Sequence, residues 1–304
     1  MARPFWALAL LFGAAVARVE VQNAPAPQPP GRVNTVYLTV THEESGAPVL
    51  DLTSEDLVVK EDGKDRDVVR LRLAREPLHL MILVDDNGSG IFRSGLLQFI
   101  QQLQGHATMG LSTVVGQTHK LVDYTANAQT VANAAATLTA RPGTNDGGQL
   151  LEGIYQASRD QERLEASRPV IVALTVGGEE HSTVPAHLVL DQLAKSRSKL
   201  YVIQVVGTML RPTVPITQSR QLLNENLQLS EVLGEGPKQT GGLREEIAAA
   251  PGLVLGLQRI AAELKNQYAL EYARPPKGKP LERLNVSVKR RGLNLRAPTK
   301  VVGR

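Results

Sequence analysis

The residues best placed to do chemistry are six in a row, Asp85-Asp86-Asn87-Gly88-Ser89-Gly90, which close an apolar run and gather carboxylates, an amide and a hydroxyl into one short loop. Oxygen donors of this kind suit a hard cation such as Mg²⁺. Other chemistries fit the same residues less well. A dinucleotide-binding loop needs a third glycine in G-x-G-x-x-G, and Arg93 stands there. Ser89 lacks the first glycine of G-x-S-x-G, so no hydrolase nucleophile elbow is present. His42, His79, His106, His119, His181 and His187 form no H-E-x-x-H and no close pair, which leaves a zinc centre little support. The chain has no Cys, so thiol nucleophiles, disulfides and iron–sulfur clusters are excluded together.

A strand-end aspartate with a D-x-D-G-T/S continuation also opens phosphatases of the haloacid dehalogenase type. On that alternative reading Asp85 is the nucleophile of a Mg²⁺-dependent phosphatase. Asn87 then removes the carboxylate that should protonate the leaving group. The later acidic metal-binding loop is also missing, because the next suitable strand ends in Thr175-Val176-Gly177.

The elements around this loop follow from hydrophobic periodicity. Leu80-Met-Ile-Leu-Val84 is a continuous apolar run of the kind a parallel sheet buries on both faces, and Ile91 to Leu103 carries helical spacing. Met109 to Val115, Val170 to Thr175 and Leu200 to Val206 read as strands, while Val131 to Leu138, Leu150 to Leu164, Leu188 to Lys195, Leu222 to Leu233 and Leu253 to Leu264 read as helices. Repeated β-α-β order implies an α/β fold with a mainly parallel sheet wrapped by helices. Ligands of such folds bind beyond the carboxyl ends of the strands, which points to the loops after Val84 and Thr175. Upstream, Val33 to Thr41, Leu57 to Glu61 and Val68 to Leu73 form a β module too thin to stand alone. Its candidate partners are the C-terminal strands Gln267 to Tyr272, Arg283 to Arg290 and Leu293 to Arg296.

Met1 to Ala17 reads as a secretory signal, with Ala15-Val16-Ala17 as the cleavage site. Its apolar stretch is too short to span a bilayer, and nothing later approaches that length. The expected organisation is therefore a signal peptide (1–17), a Pro-rich linker (18–31), a β module (32–75), an α/β domain (76–265) and C-terminal strands (266–304) that pair with the module. The expected location is periplasmic or extracellular. Once the signal is removed no Trp remains, and Phe92 and Phe99 are the only Phe beside six Tyr, which argues against the stacking surfaces that single-stranded nucleic acid and sugars need. From Arg274 to Arg304 ten Lys and Arg stand against Glu282 alone, on an otherwise acidic chain. Leu284-Asn-Val286-Ser-Val288 alternates, so these charges are expected on the solvent face of a strand rather than in a nucleic-acid grip.

Four segments, in order, resemble bacterial exported proteins related to the von Willebrand factor type A family. Asp85-x-Asn87-Gly88-Ser89 resembles the D-x-S-G-S loop, and Thr53 to Gly63 resembles the L-x-x-E-D-F-x-V-x-E-D-G segment that precedes the domain. Thr240-Gly-Gly242 resembles the T-G-G motif, and Ile260 to Tyr272 is similar to I-A-x-E-L-x-x-Q-Y-x-L-x-Y. The resemblance implies a doubly wound, Rossmann-like sheet carrying a metal-ion-dependent adhesion site, non-enzymatic, that binds a protein or cell-envelope ligand at the loop face around Asp85. In the family, a second-loop Thr and a third-loop Asp complete a Mg²⁺ site. Here Asn87 replaces the first Ser, Gly148 or Gln149 falls at the Thr position, and Val176 replaces the Asp. Thr144 and Asp146 in the second loop, with Glu179 and Glu180 after the third, are the substitute donors by position. Asp85 is left as the one assured carboxylate, so weak or absent binding of Mg²⁺ or another divalent cation is expected, and Val176→Asp is expected to strengthen it.

Overall fold

The protein is described by a computed structural model over residues 32–138, 147–206, 220–274 and 283–300. In chain order the strands are β1 (Arg32–His42), β2 (Leu57–Glu61), β3 (Lys64–Arg66), β4 (Val68–Leu73), β5 (Leu78–Asp85), β6 (Ala107–Thr113), β7 (His119–Thr125), β8 (Pro169–Thr175), β9 (Lys199–Val205), β10 (Leu243–Ile247), β11 (Tyr268–Arg274), β12 (Leu284–Val288) and β13 (Leu293–Arg296). The helices are α1 (Arg93–Gln102), α2 (Ala128–Ala136), α3 (Leu150–Arg163), α4 (Ala186–Ser196), α5 (Arg220–Thr240) and α6 (Ala250–Lys265).

The central sheet runs β10-β9-β8-β5-β6-β7 and is parallel throughout except for β7, which returns antiparallel to β6. The periodicity of β5 explains its place in the middle. Leu78, Leu80, Ile82 and Val84 face one apolar cluster with α1, α2 and α6, while Met81 and Leu83 face a second with α3, α4 and α5. A strand buried on both sides needs such an unbroken apolar run, and the result is the doubly wound α/β architecture expected from the sequence. Gly153 lets α3 lie close on this sheet, since a Cβ there would stand 2.7 Å from Val114 Cγ1.

The two ends of the chain meet in a separate β module. β1 pairs antiparallel with β11, placing Val36 opposite Leu270 and Leu38 opposite Tyr268, and β2 pairs with β12, placing Val59 opposite Val286. The sheets β13-β1-β11-β4 and β12-β2-β3 enclose a third apolar cluster built from both termini. Charge joins them as well. Glu61 is buried between Arg66 at 2.8 Å and Arg274 at 2.7 Å, and Glu263 of α6 pairs with Arg296 of β13. This corrects part of the reading of the basic end: Asn285 and Ser287 do face solvent, but Arg274 and Arg296 are drawn into partly buried ion pairs with acidic residues of other elements.

Three strands are not expected from the sequence: the short β3 (KDR), which returns along β2 after the turn at Asp62-Gly63, and two at the edges of the central sheet. β7 (HKLVDYT) and β10 (LREEI) are edge strands whose charged, partly exposed residues blur the alternation that marks a buried strand. Helix α5 also runs further than its apolar spacing implies, through Pro237 to Thr240.

Candidate functional site

The chain order β5-β6-β7 builds one half of the sheet and β8-β9-β10 the other, so the winding reverses between β5 and β8. A crevice opens at such a reversal beyond the carboxyl ends of the strands. Asp85 and Thr175, the last residues of β5 and β8, are register partners there.

Asp85 is 9% exposed. Its Oδ2 accepts a hydrogen bond from Thr175 Oγ1 at 2.5 Å, and its Oδ1 lies against Gly148, where a Cβ would come within 2.7 Å. Burial pushes the carboxyl up to about 6, against the hydrogen bond from Thr175 and with a smaller contribution from the charge of Asp86. Gly148 is held in place by its own backbone: its N–H donates to Glu179 O at 2.7 Å and its carbonyl accepts from His181 N at 2.8 Å. The second and third loops thus close over the aspartate.

Asp86 organises the first loop. Its carboxylate accepts from Ser89 N at 2.8 Å, Ser89 Oγ at 2.6 Å and Gly90 N at 2.7 Å. Gly88 and Gly90 supply the positive φ values, 86° and 68°, that let the chain curl around this carboxylate. The Ser89 hydroxyl gives its proton to Asp86 and accepts from Ile91 N at 3.2 Å, so its donor and one of its two lone pairs serve the shape of the loop. Asn87 is half-buried in the same turn.

Glu180 caps α3 from a distant segment. Its two oxygens accept from Leu150 N at 3.1 Å and Leu151 N at 3.2 Å, and Ser182 Oγ accepts from Glu152 N at 3.0 Å. Burial pushes its carboxyl up to about 7, opposed by Ser182 and the two backbone N–H groups, with the charge of Asp85 raising it further. Glu179 is half-buried, 3.7 Å from His181 Nε2, and His181 Nδ1 lies 3.8 Å from Glu225 of α5. Gln149, immediately before α3, makes no side-chain cap and donates its backbone N–H to Val114 O at 2.8 Å. Thr144 and Asp146 lie outside the described residues.

Val176, at the position of the family's aspartate, is 3% exposed and belongs to the apolar cluster that contains Val84 and Phe92. A carboxylate introduced by Val176→Asp would therefore replace a core side chain. Among the described residues there is no group of three or more His, Asp or Glu side chains arranged to hold a metal ion. The described donors do not fit Mg²⁺ as they stand, since the Asp85 carboxylate is closed in by Gly148 and Thr175. Asp86 and Gly148 were not prominent in the sequence. The Asp-Asp doublet and the paired glycines before α3 are the signals that mark them.

No protein-family model matches the chain, and no sequence among the curated proteins does. Its fold is similar to several solved structures. A conserved hypothetical protein, BatB from Bacteroides thetaiotaomicron, aligns with 62% of this chain and 100% of its own at 13% identity and a TM-score of 0.44. A von Willebrand factor type A protein from Catenulispora acidiphila aligns with 91% of this chain and 75% of its own at 11% identity and a TM-score of 0.45. Proximal thread matrix protein 1 from the mussel byssus, with a zinc-occupied MIDAS motif, aligns at 9% identity and a TM-score of 0.43, over 62% of this chain and 48% of that one.

Proposed function

We propose that this chain is an exported, non-enzymatic binding protein of the von Willebrand factor type A kind, whose adhesion site has degenerated. It recognises a protein or cell-envelope ligand through the loop face around Asp85 without a metal ion. One observation carries this reading: the Asp85 carboxylate is enclosed by Gly148 and bonded to Thr175. A phosphatase nucleophile must reach a phosphorus atom and an adhesion-site aspartate must reach a cation, and this group is closed to both. The turn around Asp86 and the side chains of Glu179 and His181 keep partial exposure, where a polar partner would meet them, with Glu225 largely buried behind His181. The order of the four sequence motifs and the position of the loops at the winding reversal support the same class. Export rests on the signal-like residues 1–17, and no described helix is long and apolar enough to cross a membrane.

Capture from a cell-envelope fraction, run in parallel with Mg²⁺ and with EDTA, tests the binding role. The same partner is expected under both conditions and is expected to be lost with His181→Glu, which places a third acid between Glu179 and Glu225. A partner retained only with Mg²⁺, or hydrolysis of a generic phosphate ester, contradicts the reading.

A further inference from the structure

At the other end of the central sheet, where β8 and β9 begin, a cavity of about 330 Å³ lies between the α/β domain and the β module. This is at the small end of the range that small-molecule sites occupy. Val170 of β8 and Leu193 and Ala194 of α4 give it apolar lining, Arg197, Lys300 and the acid Glu165 also stand on the lining, and Arg168 and Lys199 are its two buried cationic groups.

These two cations are 4% and 5% exposed, and neither makes an ion pair with a carboxylate of the described residues. Buried charges are ordinarily paired, because leaving one alone in a poorly solvated site costs several kcal/mol. Arg168 donates only to neutral acceptors: Glu76 O at 2.7 Å, Leu264 O at 2.8 Å and Gln267 Oε1 at 3.0 Å. Its Nε has no hydrogen-bond partner. Lys199 Nζ donates to Tyr37 O at 3.2 Å and Thr39 Oγ1 at 3.4 Å, two acceptors for three protons. Of the neighbouring acids, Glu263 is engaged with Arg296 and Glu76 with Arg72, and Glu165 on the lining is exposed to solvent.

We propose that this cavity binds a small organic anion with a single carboxylate head and a short apolar tail, the head drawn to Arg168 and Lys199 and the tail against Val170, Leu193 and Ala194. The apolar part of the lining favours such a ligand over a bare phosphate, which has no tail to place against it. The state of Lys199 agrees with an anion site. Burial, with Arg296 and Arg168 adding and Glu263 opposing, pushes its amine down to about 7, and a bound carboxylate would restore the charged form.

Titration calorimetry on the full chain with hexanoate, hexanol and inorganic phosphate tests this. Hexanoate is expected to bind saturably, hexanol and phosphate at least about tenfold more weakly, and Lys199→Met to weaken hexanoate by about tenfold, the loss of one charge-assisted hydrogen bond. At about pH 8 hexanoate binding is expected to take up protons, read as a dependence of the heat on buffer ionisation. Trace acetylation of the unaltered protein supplies a reading that does not depend on a variant: hexanoate should slow modification of Lys199 several-fold and leave exposed Lys195 unchanged. Absence of hexanoate binding, equal binding of hexanol, tighter binding of phosphate, or unprotected Lys199 would each overturn the proposal.

Discussion

Asp85 ends β5 at the position where the resemblance places a metal ligand, and the fold closes around it. Its carboxyl holds a proton more tightly in the fold than in the unfolded chain, from the usual 3.8 up to about 6, and Glu180 does the same up to about 7. The sign follows from linkage: the native state binds more protons across this window, so the stability these groups contribute falls as pH rises from about 4 to 7 and the cost is complete above it. Asp85→Asn, which can still accept from Thr175, is expected to raise the unfolding free energy by roughly 1–3 kcal/mol at about pH 8, little at about pH 4, and to flatten the slope between. Urea unfolding across that range checks it. Val176→Asp is expected to lower stability by ~2–4 kcal/mol through a carboxylate buried in the core, with no gain in Mg²⁺ affinity, read from the urea midpoint and calorimetry. The sequence located the loop and its missing donors, because these are matters of residue type and strand end. It could not show where each donor points: the closure by Gly148 depends on loops that meet only in the folded chain.

Among the elements, the turn after α5 is the clearest case of a motif whose position was legible and whose work was not. Thr240 Oγ1 donates to Gly236 O at 2.8 Å and accepts from Leu200 N at 3.0 Å, tying the end of α5 to β9. Gly241 has φ of 72°, and a Cβ on Gly242 would sit 1.8 Å from Leu200 O. Gly242→Ala must push two backbones apart, and a loss of ~3 kcal/mol or more is expected, measured as a lower urea midpoint. The long buried strands and amphipathic helices were readable because their periodicity is imposed by the core. The edge strands β7 and β10 were not, since their pairing rests on backbone hydrogen bonds that no side-chain pattern records.

The molecule as a whole is held by contacts between its two ends. Truncation after Asn266 would remove β11, β12 and β13, uncovering Leu38 and Val59 and leaving Glu61 without Arg274 and Glu263 without Arg296. Lower melting and new protease cleavage within residues 32–75 are expected, whereas unchanged melting and resistance would show that the N-terminal strands are stable alone. That the ends pair was readable from the thinness of each; that buried ion pairs fasten them was hidden, because a basic segment looks the same whether its charges are solvated or matched.

The central claim is that the loop face around Asp85 works without a metal, and titration calorimetry of the unaltered protein with Mg²⁺ and Mn²⁺ tests it most directly. Heats no larger than dilution are expected, with the same result for Asp85→Ala. Micromolar affinity that disappears with Asp85→Ala would contradict the account and bring Thr144 or Asp146 in as the ligands that complete the site.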